Sequence, residues 1–239
     1  MLSVAGRRPA AVVVEPVARA VLRAGLTPNV VTVLGTVLTC VATLVLIPSD
    51  HLFAAAIVCA VCTSADLIDG TMARLRGGGT AFGATLDASC DRITDGALFG
   101  AIVWWLVFVD SADRPTVAAA LVVLVSSQVI SYVKARGEAG GLAITGGLIE
   151  RAERLIVGLV GLGLEGLGVA YALEVAIWVL AAGSVFTVCQ RLWRASKDPG
   201  ARRTIAPPAG ATDAGSAVSP DDSAAGAAKT IQNRRGRRK

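Results

Sequence analysis

Two stretches of this chain admit only one kind of fold. Val30–Pro48 runs for 19 residues and Thr116–Val133 for 18 without a single charge. Each approaches the ~20 residues a helix needs to cross a ~30 Å hydrocarbon layer. Inside such a layer the backbone must satisfy its own hydrogen bonds, which a helix does within one segment. Composition agrees: 54% of the residues are hydrophobic and 17% charged, against roughly 45–50% and 25% in soluble domains.

The expected fold is an all-α integral membrane protein, with an N-terminal amphipathic surface helix and six transmembrane helices. Residues 9–25 interleave Val12, Val13, Val17, Ala18, Val21 and Leu22 with Arg19 and Arg23, a pattern too charged to span but suited to the membrane surface. With Arg7, Arg8 and Glu15, the segment lacks the apolar core of a cleavable signal peptide. Gly25-Leu26-Thr27-Pro28 ends it, Thr27 serving as N-cap and Pro28 as first residue of the next helix. Six spans are predicted, over 29–48, 51–75, 82–109, 115–136, 148–166 and 171–195.

Three regions follow: 1–28, a cytoplasmic N-terminus with the juxtamembrane helix; 29–196, the transmembrane domain; and 197–239, a disordered basic cytoplasmic tail. Of the 23 Lys and Arg, 21 fall on one side of this arrangement. That bias predicts both termini in the cytoplasm of a multi-pass protein of the cell (plasma) membrane. The tail is rich in Ala, Gly, Pro, Ser and Asp and ends in Arg234-Arg235-Gly-Arg237-Arg238-Lys239. Such a composition cannot bury a core. Its basic end reads as an anchor on anionic lipid rather than a nucleic-acid arm, so no nucleic-acid partner is expected.

Against this apolar background stand Asp66, Asp69, Asp87 and Asp91. Carboxylates in a membrane helix are costly and demand a reason. The turn Arg76-Gly-Gly-Gly-Thr80 joins the two helices that carry them. At ~1.5 Å per residue, Asp69 and Asp66 lie about 9 and 13 Å from the inner end of their helix, and Asp87 and Asp91 about 8 and 14 Å from theirs. Spacings of three and four put each pair on one helix face. All four therefore have the depth to converge.

Four such anions repel unless protons or cations intervene. Two divalent cations would neutralise them, and carboxylates sharing a metal with phosphate suit Mg²⁺, two per site, with Mn²⁺ as the alternative. Interhelical polar contacts with Arg74 and Arg92, or a cation pathway through a transporter, would also account for buried acids. The five cysteines all lie in apolar segments and read as packing residues. The lone histidine, His51, sits in a loop, so a metal here should take oxygen ligands.

Gly70 and Ala73 leave their helix face without bulk, which serves close packing or the approach of a bulky pyrophosphate. Arg74 is ready as a snorkelling cation or a phosphate ligand. Ser131, Lys134, Arg136, Arg154 and Arg191 are predicted at one membrane depth. They are either positive-inside anchors or a basic pocket. Arg151 lies between Glu150 and Glu153 and reads as their partner. Asp95 extends the Asp87–Asp91 stripe as a supporting carboxylate.

Asp66-x2-Asp69-Gly70-x2-Ala73-Arg74-x8-Gly83-x3-Asp87-x3-Asp91 fixes eight residues over 26 positions. It resembles, position for position, the signature of the CDP-alcohol phosphotransferases. Within that family the chain is most similar to the phosphatidylinositol phosphate synthases of actinobacteria. The stretches that carry this are Gly25-Leu-Thr-Pro-Asn-Val-Val-Thr32, Leu86-Asp-Ala-Ser-Cys-Asp-Arg-Ile-Thr-Asp-Gly96, Ser127-Gln-Val-Ile-Ser-Tyr-Val-Lys-Ala-Arg136 and Glu150-Arg-Ala-Glu-Arg-Leu155.

The resemblance implies transfer of a phosphatidyl group from CDP-diacylglycerol to an inositol phosphate of the 1D-myo-inositol 3-phosphate type, with release of CMP. It further implies that Asp66 and Asp87 bridge two metals, that Asp69 completes the first and Asp91 the second, and that Asp91 is the proton acceptor. Asn29, Val30, Val31, Thr32, Gly70, Arg74 and Thr80 would hold CDP-diacylglycerol. Ser131, Lys134, Arg136, Arg154 and Arg191 would hold the inositol phosphate, and the protein would be a homodimer among membrane lipids. Glycerol 3-phosphate is the alternative acceptor.

Overall fold

A computed structural model describes residues 7–204. The chain divides into two units, Met1–Ala201 and Arg202–Lys239, and all regular structure among the described residues is helical and lies in the first. The helices are α1 (Arg7–Arg23), α2 (Pro28–Leu46), α3 (Leu52–Thr63), α4 (Ala65–Leu75), α5 (Ala81–Phe108), α6 (Arg114–Ala139), α7 (Arg151–Gly166) and α8 (Ala172–Lys197).

Local chemistry sets several starts. Thr27 accepts from the Val30 amide at 3.4 Å with Pro28 opening α2, as its sequence predicts. Thr80 caps α5 by accepting from Gly83 N at 2.9 Å, and Asp113 caps α6 by accepting from Thr116 N at 3.2 Å. Each side-chain oxygen satisfies an amide that the helix leaves unpaired.

The helices pack in a closed ring, in the order α2, α5, α6, α8, α7, α3 and back to α2; α1 packs against α4, which also lies against α2. Small residues let the crossings close. A Cβ on Gly161 would meet that of Ala176 at 2.4 Å, and one on Gly166 would stand 2.3 Å from the Phe53 amide nitrogen. In lipid, where burying apolar surface gains little, such close backbone approach is a main source of helix association. Large side chains fill one half of the ring: Phe99, Ile102, Leu106, Val123, Leu162 and Ile177 are all buried together. Outward, α2 presents Val33, Leu34, Val37, Leu38, Val41 and Leu44 exposed, a face suited to hydrocarbon.

Among the described residues, four segments are long and apolar enough to cross a membrane: 28–46, 52–75, 114–139 and 172–197. The other two ring helices fall short by that measure, α7 with 16 residues and α5 because Asp87, Asp91, Arg92 and Asp95 interrupt it.

Two expectations gain detail. The predicted span over 51–75 is one of the four apolar segments, built from two helices, α3 and α4, with a break at Ser64. There the Thr63 and Ser64 hydroxyls both donate back to the Ala60 carbonyl, at 3.2 and 2.7 Å, a bond that competes with the helix ladder and bends it. The ordered domain also runs past residue 196. After α8, Asp198 accepts from the Ala143 amide at 2.9 Å and from Gly200 N at 2.7 Å, which ties 198–201 to the α6–α7 loop. The rest of the predicted disordered tail, 205–239, lies outside the described residues.

Candidate active site

The α4–α5 turn builds the site. Gly77 and Gly78 take φ of +94° and +130°, values open to glycine and strained for other residues. The tight reversal sets the carboxylates of the two helices at matching levels. Nearer the turn, Asp69 and Asp87 border the same cavity. One level deeper, Asp66 and Asp91 share a single partner, the Arg151 guanidinium, at 2.9 Å each. A third level holds Asp95, fully buried, which receives Arg154 at 2.8 Å and Arg92 and Arg151 at 3.4 Å. The sequence places Asp69 level with Asp87 and Asp66 level with Asp91, and the shared cavity and the shared Arg151 agree with those levels.

Arg151 corrects the sequence reading most. It does not pair with Glu150 and Glu153 but reaches across from α7 into the carboxylates. A surface pair of neighbours in sequence is weak, whereas here three carboxylates, Asp66, Asp91 and Asp95, bid for the same cation. Nothing in the local spacing points to this contact, which depends on how α7 closes the ring.

Three openings surround the hairpin. A cavity of about 520 Å³ is lined by Thr27, Asn29, Thr32, Gly70, Thr80 and Gly83 along with Asp69 and Asp87. Thr32 donates to Asp69 at 2.5 Å. A Cβ on Gly83 would stand 3.1 Å from Thr80 Oγ1 and 3.3 Å from Asn29 Oδ1, so the smallest residue lets both polar groups face the cavity. Of the residues expected to hold CDP-diacylglycerol, Asn29, Thr32, Gly70 and Thr80 lie here. Val30, Val31 and Arg74 do not; Val30 is exposed, and Arg74 donates to Thr71 at 2.8 Å. Arg76, which the sequence reading left out, does line the cavity.

A groove of about 790 Å³ runs between α3 and α7, lined by Phe53, Ile57, Leu155, Ile156, Leu159 and Val160, with Asp66 and Arg151 among its polar residues. The third opening, about 910 Å³, is bordered by Asp91, Arg92, Gln128, Ser131, Lys134, Glu150, Arg151 and Arg191. It gathers Ser131, Lys134 and Arg191 as expected from their common depth. Arg136 is exposed outside this lining, and Arg154 is wholly buried against Asp95. Arg191 spends two donors on backbone carbonyls, Gly146 at 3.1 Å and Ile130 at 2.7 Å, so it also seats the α6–α7 loop.

The donor set suits a hard cation. Asp66, Asp69, Asp87 and Asp91 supply only oxygens, and with Asp95 they outnumber the cluster's three guanidiniums by two charges. Among the described residues no three His, Cys, Asp or Glu side chains stand close enough as drawn to enclose an ion. Two of the four, Asp66 and Asp91, have an oxygen turned to Arg151 instead.

The profile of the CDP-alcohol phosphatidyltransferase family matches residues 25–189, and the chain belongs to that family. It is 59% identical over 211 residues to the phosphatidylinositol phosphate synthase of Corynebacterium glutamicum, covering 88% of this chain and 96% of the relative. The Mycobacterium tuberculosis enzyme of the same name is 51% identical over 199 residues, covering 82% and 91%. A crystal structure of that synthase with CDP-DAG bound superposes with a TM-score of 0.77 at 51% identity, covering 81% of this chain and 98% of the other. Another, in complex with manganese and citrate, gives 0.76 at 50% identity, covering 81% and 93%.

Proposed function

We propose that this protein is a phosphatidylinositol phosphate synthase, which transfers the phosphatidyl group of CDP-diacylglycerol to an inositol phosphate and releases CMP. The observation that carries this reading is the meeting of three chemically different openings at one carboxylate hairpin. The cavity at the turn suits a nucleotide diphosphate, the α3–α7 groove suits acyl chains, and the cationic opening beside Asp91 suits a phosphorylated polyol. The synthases of the same name at up to 59% identity support the acceptor. The CDP-DAG and manganese held by related structures support the donor and the metal.

In this reading Asp66, Asp69, Asp87 and Asp91 would together hold two Mg²⁺ ions, or Mn²⁺. Bound there, the ions offset charge on the diphosphate and on the leaving CMP. The chain's own residues orient the reactants. Thr32 fixes Asp69, Asn29 and Thr80 face the nucleotide, and Ser131, Lys134 and Arg191 hold the acceptor's phosphate. An acceptor hydroxyl oxygen attacks the phosphorus of the phosphatidyl group, and the bond from that phosphorus to the CMP oxygen breaks. The hydroxyl proton passes to the Asp91 carboxylate. The reading also places α1 on the cytoplasmic surface, six spans across the bilayer, the second built from α3 and α4 together, and the site at the cytoplasmic side of a homodimer.

An acceptor panel tests it. Purified protein receives labelled CDP-diacylglycerol, Mg²⁺ and either inositol phosphate, glycerol 3-phosphate or unphosphorylated inositol. Product and CMP are expected with inositol phosphate. Product from glycerol 3-phosphate and none from inositol phosphate would sink the assignment, as would cation flux through liposomes without CMP release.

A further inference from the structure

Arg151 borders both the apolar groove and the acceptor opening. Its Nη1 meets Asp66 Oδ2 at 2.9 Å, its Nη2 meets Asp91 Oδ1 at 2.9 Å, and its Nε lies 3.4 Å from Asp95 Oδ1. Asp66 and Asp91 are the acids that the proposed reaction needs for metal and proton. A guanidinium on those oxygens and a divalent cation on them compete, because each neutralises the same charge. The Asp91 oxygen that Arg151 holds is likewise engaged as long as the contact lasts.

We propose that Arg151 is a latch between the carboxylates and the acceptor opening, and that a divalent cation and an anionic acceptor each favour the other's binding by releasing it. This rests on the reading of the opening as an acceptor site. Two features allow the movement. The Arg151 side chain retains 24% exposure, whereas Arg154, locked on Asp95, has none. Asp95 is no part of the proposed metal set, so its contact with Nε tethers Arg151 while both Nη groups turn toward Ser131, Lys134 and Arg191. A cation at Asp66 and Asp91 frees those donors for a tetrahedral anion; an anion in the opening draws them off the carboxylates. A guanidinium serves well, since its fork spans two acids or grips one oxyanion bidentately.

The coupling is measurable without turnover. Mn²⁺ binding is followed by the electron-spin-resonance signal of the free ion, with and without sulfate, a tetrahedral dianion that does not precipitate it. In the wild type, sulfate should tighten Mn²⁺ at least about 5-fold, within the usual range of site–site coupling. In Arg151→Gln, Mn²⁺ should bind tighter than in the wild type without sulfate, and the sulfate effect should fall below about 2-fold. Arg151→Lys, which keeps the charge but cannot span two carboxylates, should also lose most of the coupling. Reciprocity supplies a check on the unaltered protein, since Mn²⁺ must tighten sulfate by the same factor.

Weaker Mn²⁺ binding in Arg151→Gln would make Arg151 a structural prop and overturn the latch. Full sulfate coupling retained in both variants would do the same, because the anion would then act on the metal directly. Neither result depends on which acceptor is used. Failure of the acceptor panel would instead strike the proposed reaction, and the coupling between cation and anion would then stand without an acceptor assigned to it.

Discussion

Helix α5 passes through two regions of opposite character, and one stripe of the helix records the change. Asp87, Asp91 and Asp95 occupy it in the first half, and Phe99 and then Ile102 continue it in the second. Below the border, Phe99, Ile102 and Leu162 have no exposed surface, and their role is packing. Above it, Asp66 and Asp91 keep 33% and 22% of their side-chain surface open, beside the apolar groove and the cationic opening. Asp95 lies on the border. It is as buried as the core, yet carries a charge that three guanidiniums must offset. Stability and reactivity are thus placed on consecutive turns of one helix, and substitutions across the border should separate them.

The largest separation is expected at Asp91→Asn. It keeps the shape and removes the proposed proton acceptor, so CMP release should fall roughly 10²–10⁴-fold, the usual worth of a positioned general base. Binding of CDP-diacylglycerol should largely survive, because Asp69 and Asp87 still border the cavity proposed for its nucleotide. Turnover near the wild-type rate would remove Asp91 from that role. Two turns on, Phe99→Ala should do the reverse. The ring of Phe99 packs on Gly158 of α7, whose added Cβ would lie 3.5 Å from it, so no neighbour there can grow to fill the space. A loss of about 3–5 kcal/mol of stability is expected, read as a lower thermal midpoint in detergent, with kcat of the folded fraction little changed. A fall in kcat larger than the fall in folded protein would join the two regions that the stripe separates.

The same border divides what was legible in the sequence. Uncharged runs, proline and threonine at helix starts, and acids at spacings of three and four are local features, and from them the helices and the two-level pairing of Asp69 with Asp87 and Asp66 with Asp91 could be read. Arg151 could not. Its partners lie 85 and 60 residues away, and only the closing of α7 against α3 and α8 brings them within reach. Its neighbours Glu150 and Glu153 offered a nearer, wrong explanation. The break at Ser64 was likewise hidden, since hydropathy does not register a hydroxyl bonding back to a carbonyl. Lysine and arginine at one predicted depth looked like a single pocket, yet depth says nothing of direction around a helix. That is why Lys134 borders the opening while Arg136, two residues on, does not.

That last pair gives the finest test of direction against depth. Residues two apart point to different sides of a helix, so the acceptor should sense Lys134 and not Arg136, although both carry the same charge at the same level. Lys134→Ala should raise the acceptor KM roughly 10-fold, the worth of one hydrogen bond to a charged group at about 1.5 kcal/mol, with kcat nearly kept. Arg136→Ala should change it less than about 2-fold, as expected for a surface position. Raising the salt concentration should weaken any residual effect at Arg136, because exposed charges are screened beyond ~10 Å at 0.1 M. Equal KM increases in the two variants would mean that the opening draws its acceptor by general positive charge, and that the direction of the side chains around α6 does not matter.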